Sequence, residues 1–447
     1  MILIIILVAY SLLVVILKKI GVFDKYNVSL YGPALLLRTK KGKFFLKKLA
    51  LKKGFWKAYG SFGVFFCFLM MILVTILIIW NTWMAFGLLG LSPEEKANLP
   101  GPEVALVLPG INPILPIGHL GYIVLALIIA IVVHEFSHGI LSLVGKIKVK
   151  SLGILYFIIP IGAFVEPDEE QLKKTSIRRR MRVYAAGPMS NFVVAFIVLL
   201  FFSFVFMSAV QPVDGAHLLY VIDDTPAEEI GLTPGMVITS FNDTEIHGIS
   251  DFHKVIQNVT AYQTVNISFF KKGRIINTTV TLENYYNYSK NQSHMNQSFL
   301  GVGFNPYAGY VSYLKNPFVG NIFDNIILLY SVPIIGYMVG FNPIAAPFTD
   351  GYRLVGPLSV LPNDVFWMIV NGLYWIFWLN FAVGAFNVLP MIPLDGGFLF
   401  NDGIRAIVKR REHLTEEKRE QIVRNISLIV SLIILFIIVF PFFVKYL

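Results

Sequence analysis

The chain has 447 residues, of which 56% are hydrophobic and 14% charged, and its mean hydropathy is +0.68. That composition excludes a soluble domain and marks a polytopic membrane protein. The net charge of +10 does not signal nucleic-acid binding: residues 18–57, 146–182 and 405–424 hold 12, 9 and 7 of the 37 Lys and Arg residues, and no nucleic-acid motif accompanies them. These segments read as cytoplasmic loops under the positive-inside rule, drawn to the anionic surface of a lipid bilayer. The lone cysteine, Cys67, lies in an apolar run, which excludes disulfides and a cysteine-ligated zinc.

Met1 to Leu17 is apolar with Lys18-Lys19 behind it, the reverse of a secretory signal. It is expected to be a retained transmembrane helix with its N-terminus outside. Further apolar spans are predicted at about 60–89, 119–145, 184–210, 365–390 and 425–444, giving an α-helical membrane protein of about six transmembrane helices. Leu99 to Gly118, with Pro100, Pro102, Pro109, Pro113 and Pro116, reads as an outer loop. Parity then places 18–57 and 146–183 inside and 211 onward outside.

Within 119–145, His134-Glu135-Phe136-Ser137-His138 interrupts an otherwise apolar helix. A charge near the middle of a span costs about 2.5–3.5 kcal/mol, so an intramembrane acid between two histidines is a functional site by default. Spacing of i, i+4 puts both imidazoles on one helical face, where they hold one zinc with the glutamate as general base. Catalytic zinc takes a third protein ligand. Asp395, in Asn387-Val388-Leu389-Pro390-Met391-Ile392-Pro393-Leu394-Asp395-Gly396-Gly397, is the only carboxylate between Asp364 and Asp402; its plainer reading is a helix cap. Pro390, Pro393 and the glycine pair break the helix there, and broken backbone at membrane depth must be buried in protein or line a wet cavity.

Residues 213–305 read as a small inserted α+β module. Strands are expected at His217–Ile222, Val237–Phe241, Thr264–Phe270 and Ile275–Leu282, with a helix over Ser250–Val259 capped by Ser250-Asp251. Seven N-x-S/T sequons begin at Asn242, Asn258, Asn266, Asn277, Asn287, Asn291 and Asn296. Such acceptors belong on an extracytoplasmic surface, although an Asn- and Ser/Thr-rich composition also yields them. Residues 317–345 are apolar but interrupted by Asn321, Asp324, Asn325 and Pro333. A full crossing there would put the Asp395 end of the next span on the wrong side from His134, so a re-entrant or interfacial segment is expected.

His134-Glu135-x-x-His138-Gly139, Ala185-Ala186-Gly187-Pro188-x-x-Asn191 and Asn387-x-x-Pro390-x-x-x-Leu394-Asp395-Gly396 together resemble the site-2 protease family of intramembrane zinc metalloproteases. The resemblance implies one zinc per chain held by His134, His138 and Asp395, with Glu135 catalytic and Asn387 near the substrate backbone or developing oxyanion. It also implies transmembrane protein substrates, cut within the bilayer in regulated intramembrane proteolysis. The module, through Thr225-Pro226-Ala227, Gly231-Leu232 and Pro234-Gly235-Met236-Val237-Ile238, resembles a PDZ domain, which implies peptide or substrate docking or a size filter. Ser151 to Val165 corresponds by position to the family's membrane-associated hairpin, and Glu166-Pro167-Asp168-Glu169-Glu170 reads as a solvated acidic turn.

The expected organisation is 1–118, N-terminal helices and loops; 119–210, first half of the protease core; 213–305, the module; 306–362, the re-entrant or interfacial segment; 363–401, second half of the core; and 402–447, a basic segment and last helix. The active site is expected toward the cytoplasm and the module outside. Two other functions use the same features: a zinc-binding membrane transporter and a non-catalytic membrane scaffold. The inverted repeats typical of transporters are not visible in the sequence, and all four catalytic positions are intact.

Overall fold

The computed structural model describes residues 2–26, 28–31, 34–39, 42–97, 99, 101–105, 112–157, 159–411 and 414–447. Met1 and the loop prolines Pro100 and Pro109 fall outside these residues. In chain order the first elements are helix α1 (Ile2–Lys19), strands β1 (Val28–Tyr31) and β2 (Ala34–Thr39), and helices α2 (Lys53–Gly87) and α3 (Leu120–Val144). Then come β3 (Val149–Phe157), β4 (Ile159–Pro167) and α4 (Ile177–Leu200), which runs on through a wider π turn, Phe201–Phe206. The inserted region holds β5 (Val210–Pro212), β6 (Ala216–Val221), β7 (Val237–Phe241), α5 (Ile249–Ile256), β8 (Thr264–Lys271), β9 (Arg274–Thr281), β10 (Val302–Phe304), α6 (Ile322–Val339) and β11 (Tyr352–Leu354). Helices α7 (Asn363–Asn387), α8 (Asp395–Val408) and α9 (Glu416–Phe443) complete the chain.

Among the described residues, six helices are long and apolar enough to cross a membrane: Lys53–Gly90, Ile117–Val144, Ile177–Ala209, Ile322–Val339, Asn363–Asn387 and Glu416–Tyr446. The predicted first span forms α1. On α2, Phe62, Phe65, Ile72, Ile76 and Trp83 stay exposed, as apolar side chains do when lipid is their solvent.

Two compact units form. The first comprises Met1–Val107, Gly118–Phe196 and Ile376–Leu447. Its sheet has the order β1-β2-β3-β4, all antiparallel, with Leu36 opposite Leu155 and Gly153 opposite Phe164. The sequence suggested only the second hairpin; residues 28–39 had read as basic loop. Arg38 on β2 reaches Glu166 at 3.4 Å, and Ser151 bonds the same carboxylate. Asp168 caps the short helix Glu169–Lys174 by accepting from the Gln171 amide, so the acidic turn is engaged in capping and cross-strand pairing. Leu46, Ile140, Leu141, Val149, Leu152 and Val165 join the sheet to α3 in one buried cluster.

The second unit comprises Leu108–Ile117 and Ile197–Trp375. Its main sheet has the order β9-β8-β7-β6-β10, around buried Leu218, Ile238, Phe241, Phe252, Ile267 and Leu300. The four predicted strands sit within a residue or two of their expected places. Helix α5 begins at Ile249, after Gly248 and without a side-chain cap; the expected Ser250-Asp251 cap is already inside the first turn.

Strand β5 pairs with β11, and the Val355 amide donates to the Ala209 carbonyl at 2.8 Å. The 213–351 excursion therefore starts and finishes at one place. Within it, α6 is one unbroken helix with Pro333 inside. Tyr307, before the short helix Val311–Lys315, stacks on Phe341, after α6, with ring centroids 5.9 Å apart.

Candidate metal centre

Three elements of the first unit build the site. His134 and His138 stand one turn apart on α3, with ring centroids 4.8 Å apart. Asp395 is the first residue of α8, behind the break that follows α7. Gly396 and Gly397 permit that tight start: a Cβ at Gly396 would lie 2.2 Å from the Val388 carbonyl oxygen, and one at Gly397 2.6 Å from the Met391 backbone. The carboxylate thus sits at a helix N-terminus, where backbone N–H groups favour negative charge.

Asp395 Oδ2 lies 2.9 Å from His134 Nε2 and 3.1 Å from His138 Nε2. One donor atom from each side chain falls within 4.8 Å of the others. Two nitrogens and a carboxylate oxygen are the donor set of a catalytic zinc, whose ligands at about 2.1 Å in tetrahedral array stand roughly 3.4 Å apart. A few tenths of an ångström of outward relaxation would admit the ion.

The partner helix α4 tunes this set. Val183 O lies 2.7 Å from His138 Nδ1; the imidazole donates there, which leaves the Nε2 lone pair for a metal. Gly187, one turn on, is so close that a Cβ would lie 2.5 Å from Nε2 of both histidines. A further turn along is Asn191, fully buried with both polar side-chain atoms unpartnered among the described residues; His134 Nδ1 is likewise unpartnered. The sequence offered the Gly187–Asn191 motif without a role for either residue.

Glu135, next to His134 on α3, accepts from the Val165 amide of β4 through Oε2 at 2.9 Å. Gly139 lets β4 pack closely on α3, for a Cβ there would meet Val165 Cγ1 at 3.0 Å. Asn387 is half-buried, and its amide donates to the Val383 carbonyl of its own helix at 3.0 Å. The structure therefore brings His134, His138 and Asp395 together, bonds Glu135 of α3 to β4, and leaves Asn387 bonded to its own helix.

A feature not visible in the sequence braces the aspartate-bearing helix. Arg180 of α4 binds Asp402 with two bonds, at 2.6 and 2.9 Å, and Arg405 bridges Asp402 at 3.0 Å to Glu420 of α9 at 2.7 and 2.8 Å. The Asp402 side chain is 1% exposed. Planar bidentate pairs fix orientation as well as distance, so α8 is clamped two turns after Asp395.

Residues 122–435 match peptidase family M50. The chain belongs to that family. It is a multi-pass membrane protein and a zinc metalloprotease of the site-2 type that the three motifs resemble. Relatives include an uncharacterised protein of Methanocaldococcus jannaschii, 26% identical over 89% of this chain and 85% of its own. The zinc metalloprotease RasP of Shouchella clausii is 25% identical over 55% of this chain, and the match spans 56% of that protein. A putative zinc metalloprotease of Mesorhizobium japonicum is 22% identical over 56% of this chain and 74% of its own. Among solved structures, the PDZ domain of an SdrC-like protein from Listeria monocytogenes is similar across 21% of this chain and 90% of its own, at 19% identity and a TM-score of 0.18.

Proposed function

We propose that this M50 peptidase cuts transmembrane helices of membrane-anchored proteins within the bilayer, as a step in regulated intramembrane proteolysis. The observation that carries the reading is the convergence of His134, His138 and Asp395 to 2.9 and 3.1 Å in a helix bundle, with Glu135 adjoining. These three residues would hold one zinc per chain. Zinc, when bound, polarises a carbonyl oxygen and acidifies water.

Glu135 takes the proton of the attacking water and returns it to the leaving amine. Its present bond to the Val165 amide ties the base to β4. The substrate helix has to unwind to present a peptide bond, and an unwound segment pairs naturally with a free strand edge. Asn387, released from Val383, would bond the substrate backbone. The module serves as a PDZ-like docking surface or size filter outside the membrane.

The sidedness is inferred from chain direction. His134 and His138 lie in the C-terminal half of α3 and Asp395 follows the C-terminal end of α7 across the break, which supports the two helices running the same way. The closure of β5 on β11 and the stacking of Tyr307 on Phe341 support a re-entrant or interfacial 317–345 rather than a full crossing. The site then faces the cytoplasm and the module lies outside.

Glu135→Gln should retain zinc and abolish cleavage of a model transmembrane substrate, whereas Asp395→Ala should lose zinc as well. Near-parental cleavage by Glu135→Gln would remove Glu135 as base, and full zinc in Asp395→Ala would remove Asp395 as ligand.

A further inference from the structure

We propose that the module at 213–305 carries N-linked oligosaccharides on most of its seven sequons. This inference rests on the sidedness proposed above. The module has nine asparagines, and seven of them begin N-x-S/T. Fifteen of its 93 residues are Ser or Thr, so chance at its own composition gives only about 1.5 such triplets. The remaining fifteen asparagines of the chain supply two, at Asn27 and Asn425. An Asn-rich composition therefore does not account for the seven.

The fold puts these acceptors where a transferase reaches them. Asn258, Asn266, Asn277, Asn287, Asn291 and Asn296 are exposed, and Asn242 is half-buried in a left-handed turn with φ of 49°. Asn266 stands opposite Thr279 and Asn277 opposite Ser268, so both side chains share the outward face of the β8–β9 hairpin. Strand β9 is the edge of the sheet and leaves Ile275 and Ile276 exposed. Such an edge invites pairing with other chains unless it is covered; a glycan on Asn277 covers it.

Asn258 and Asn296 both line a cavity of about 480 Å³ between α5 and β10. Sugars there would stand at its mouth and narrow what can enter. In the transfer, the Asn Nδ2 forms a bond to the anomeric carbon of a polyprenyl-phosphate-linked oligosaccharide. The carbon–oxygen bond to the lipid phosphate breaks, the phosphorylated lipid leaves, and the amide proton passes to solvent.

The test is peptide mass spectrometry of the full chain purified from its native membranes. Glycan-bearing peptides should cover most of the seven positions, while Asn27 and Asn425 stay bare. All seven at unmodified mass would overturn the inference without touching the sidedness. Glycans on Asn27 or Asn425 with the seven bare would overturn the sidedness too. Replacing all seven with Gln should lower the apparent mass in the same host, and unchanged migration would count against the proposal.

Discussion

At position 187 the presence or absence of one methyl group decides whether two imidazoles can face a metal. Gly187→Ala favours the helix intrinsically, because Ala outranks Gly as a helix former by about 1 kcal/mol. Its Cβ would nevertheless displace both Nε2 atoms from 2.5 Å. The expected outcome is a folded protein whose zinc affinity, measured by chelator competition, falls about 10–100-fold, as for other residues that orient metal ligands. Unchanged affinity would mean that the histidines have room the geometry denies them. The sequence pointed to His134, Glu135, His138 and Asp395 because charge inside an apolar run is conspicuous, and the structure brings both histidines and Asp395 together. Asp402 was passed over because its partners, Arg180 and Arg405, lie among residues that looked like ordinary cytoplasmic charge.

At the scale of elements, three helices among the described residues, α4, α6 and α9, contain an internal proline, and in two of them the freed carbonyl finds a donor on another helix. Pro333 leaves Leu329 O unpaired in α6, and the Tyr374 hydroxyl of α7 donates to it at 3.0 Å. Pro441 leaves Ile437 O unpaired in α9, and Thr82 of α2 donates to it at 2.7 Å. Both of these freed groups are answered from a neighbouring helix, as burial away from water requires. Tyr374→Phe and Thr82→Val should each cost about 0.6 kcal/mol, with about 1.7 kcal/mol as the upper end, in reversible unfolding from mixed micelles. Two variants as stable as the parent would show that these carbonyls find other donors. None of this was legible beforehand, since a proline announces the break but not its remedy. Strand β2 escaped for a related reason, since its partner β3 lies more than a hundred residues away; β1 pairs with β2 alone, in a hairpin set among basic residues that read as loop. Strands β7 to β9 were legible because alternation in Thr264–Lys271 follows the two faces of a half-buried sheet.

Across the whole molecule the arrangement stands or falls on direction. With Cys67 replaced, a cysteine at Lys290 should react with an impermeant thiol reagent in intact cells, and one at Glu417 should not; both positions are exposed. Labelling of Glu417→Cys alone would invert the topology. Labelling of both would mean that α6 and α7 each cross, and would overturn the proposed sidedness. The sequence carried the same parity argument, but it could not show that the two ends of the 213–351 excursion are fastened together.

That fastening has an architectural meaning. A region whose two ends are neighbouring strands, and which α7 also ties through Tyr374 to Leu329 and Asn371 to Ile344, is anchored at both chain ends in one place. The module within it is closed again, by the Asn305 amide donating to the His217 carbonyl at 2.8 Å. Insertions, deletions or wholesale exchange between these paired ends leave the helix directions on either side untouched. A lineage could therefore lengthen, decorate or discard the inserted module of such a peptidase while keeping its buried histidines and aspartate in register.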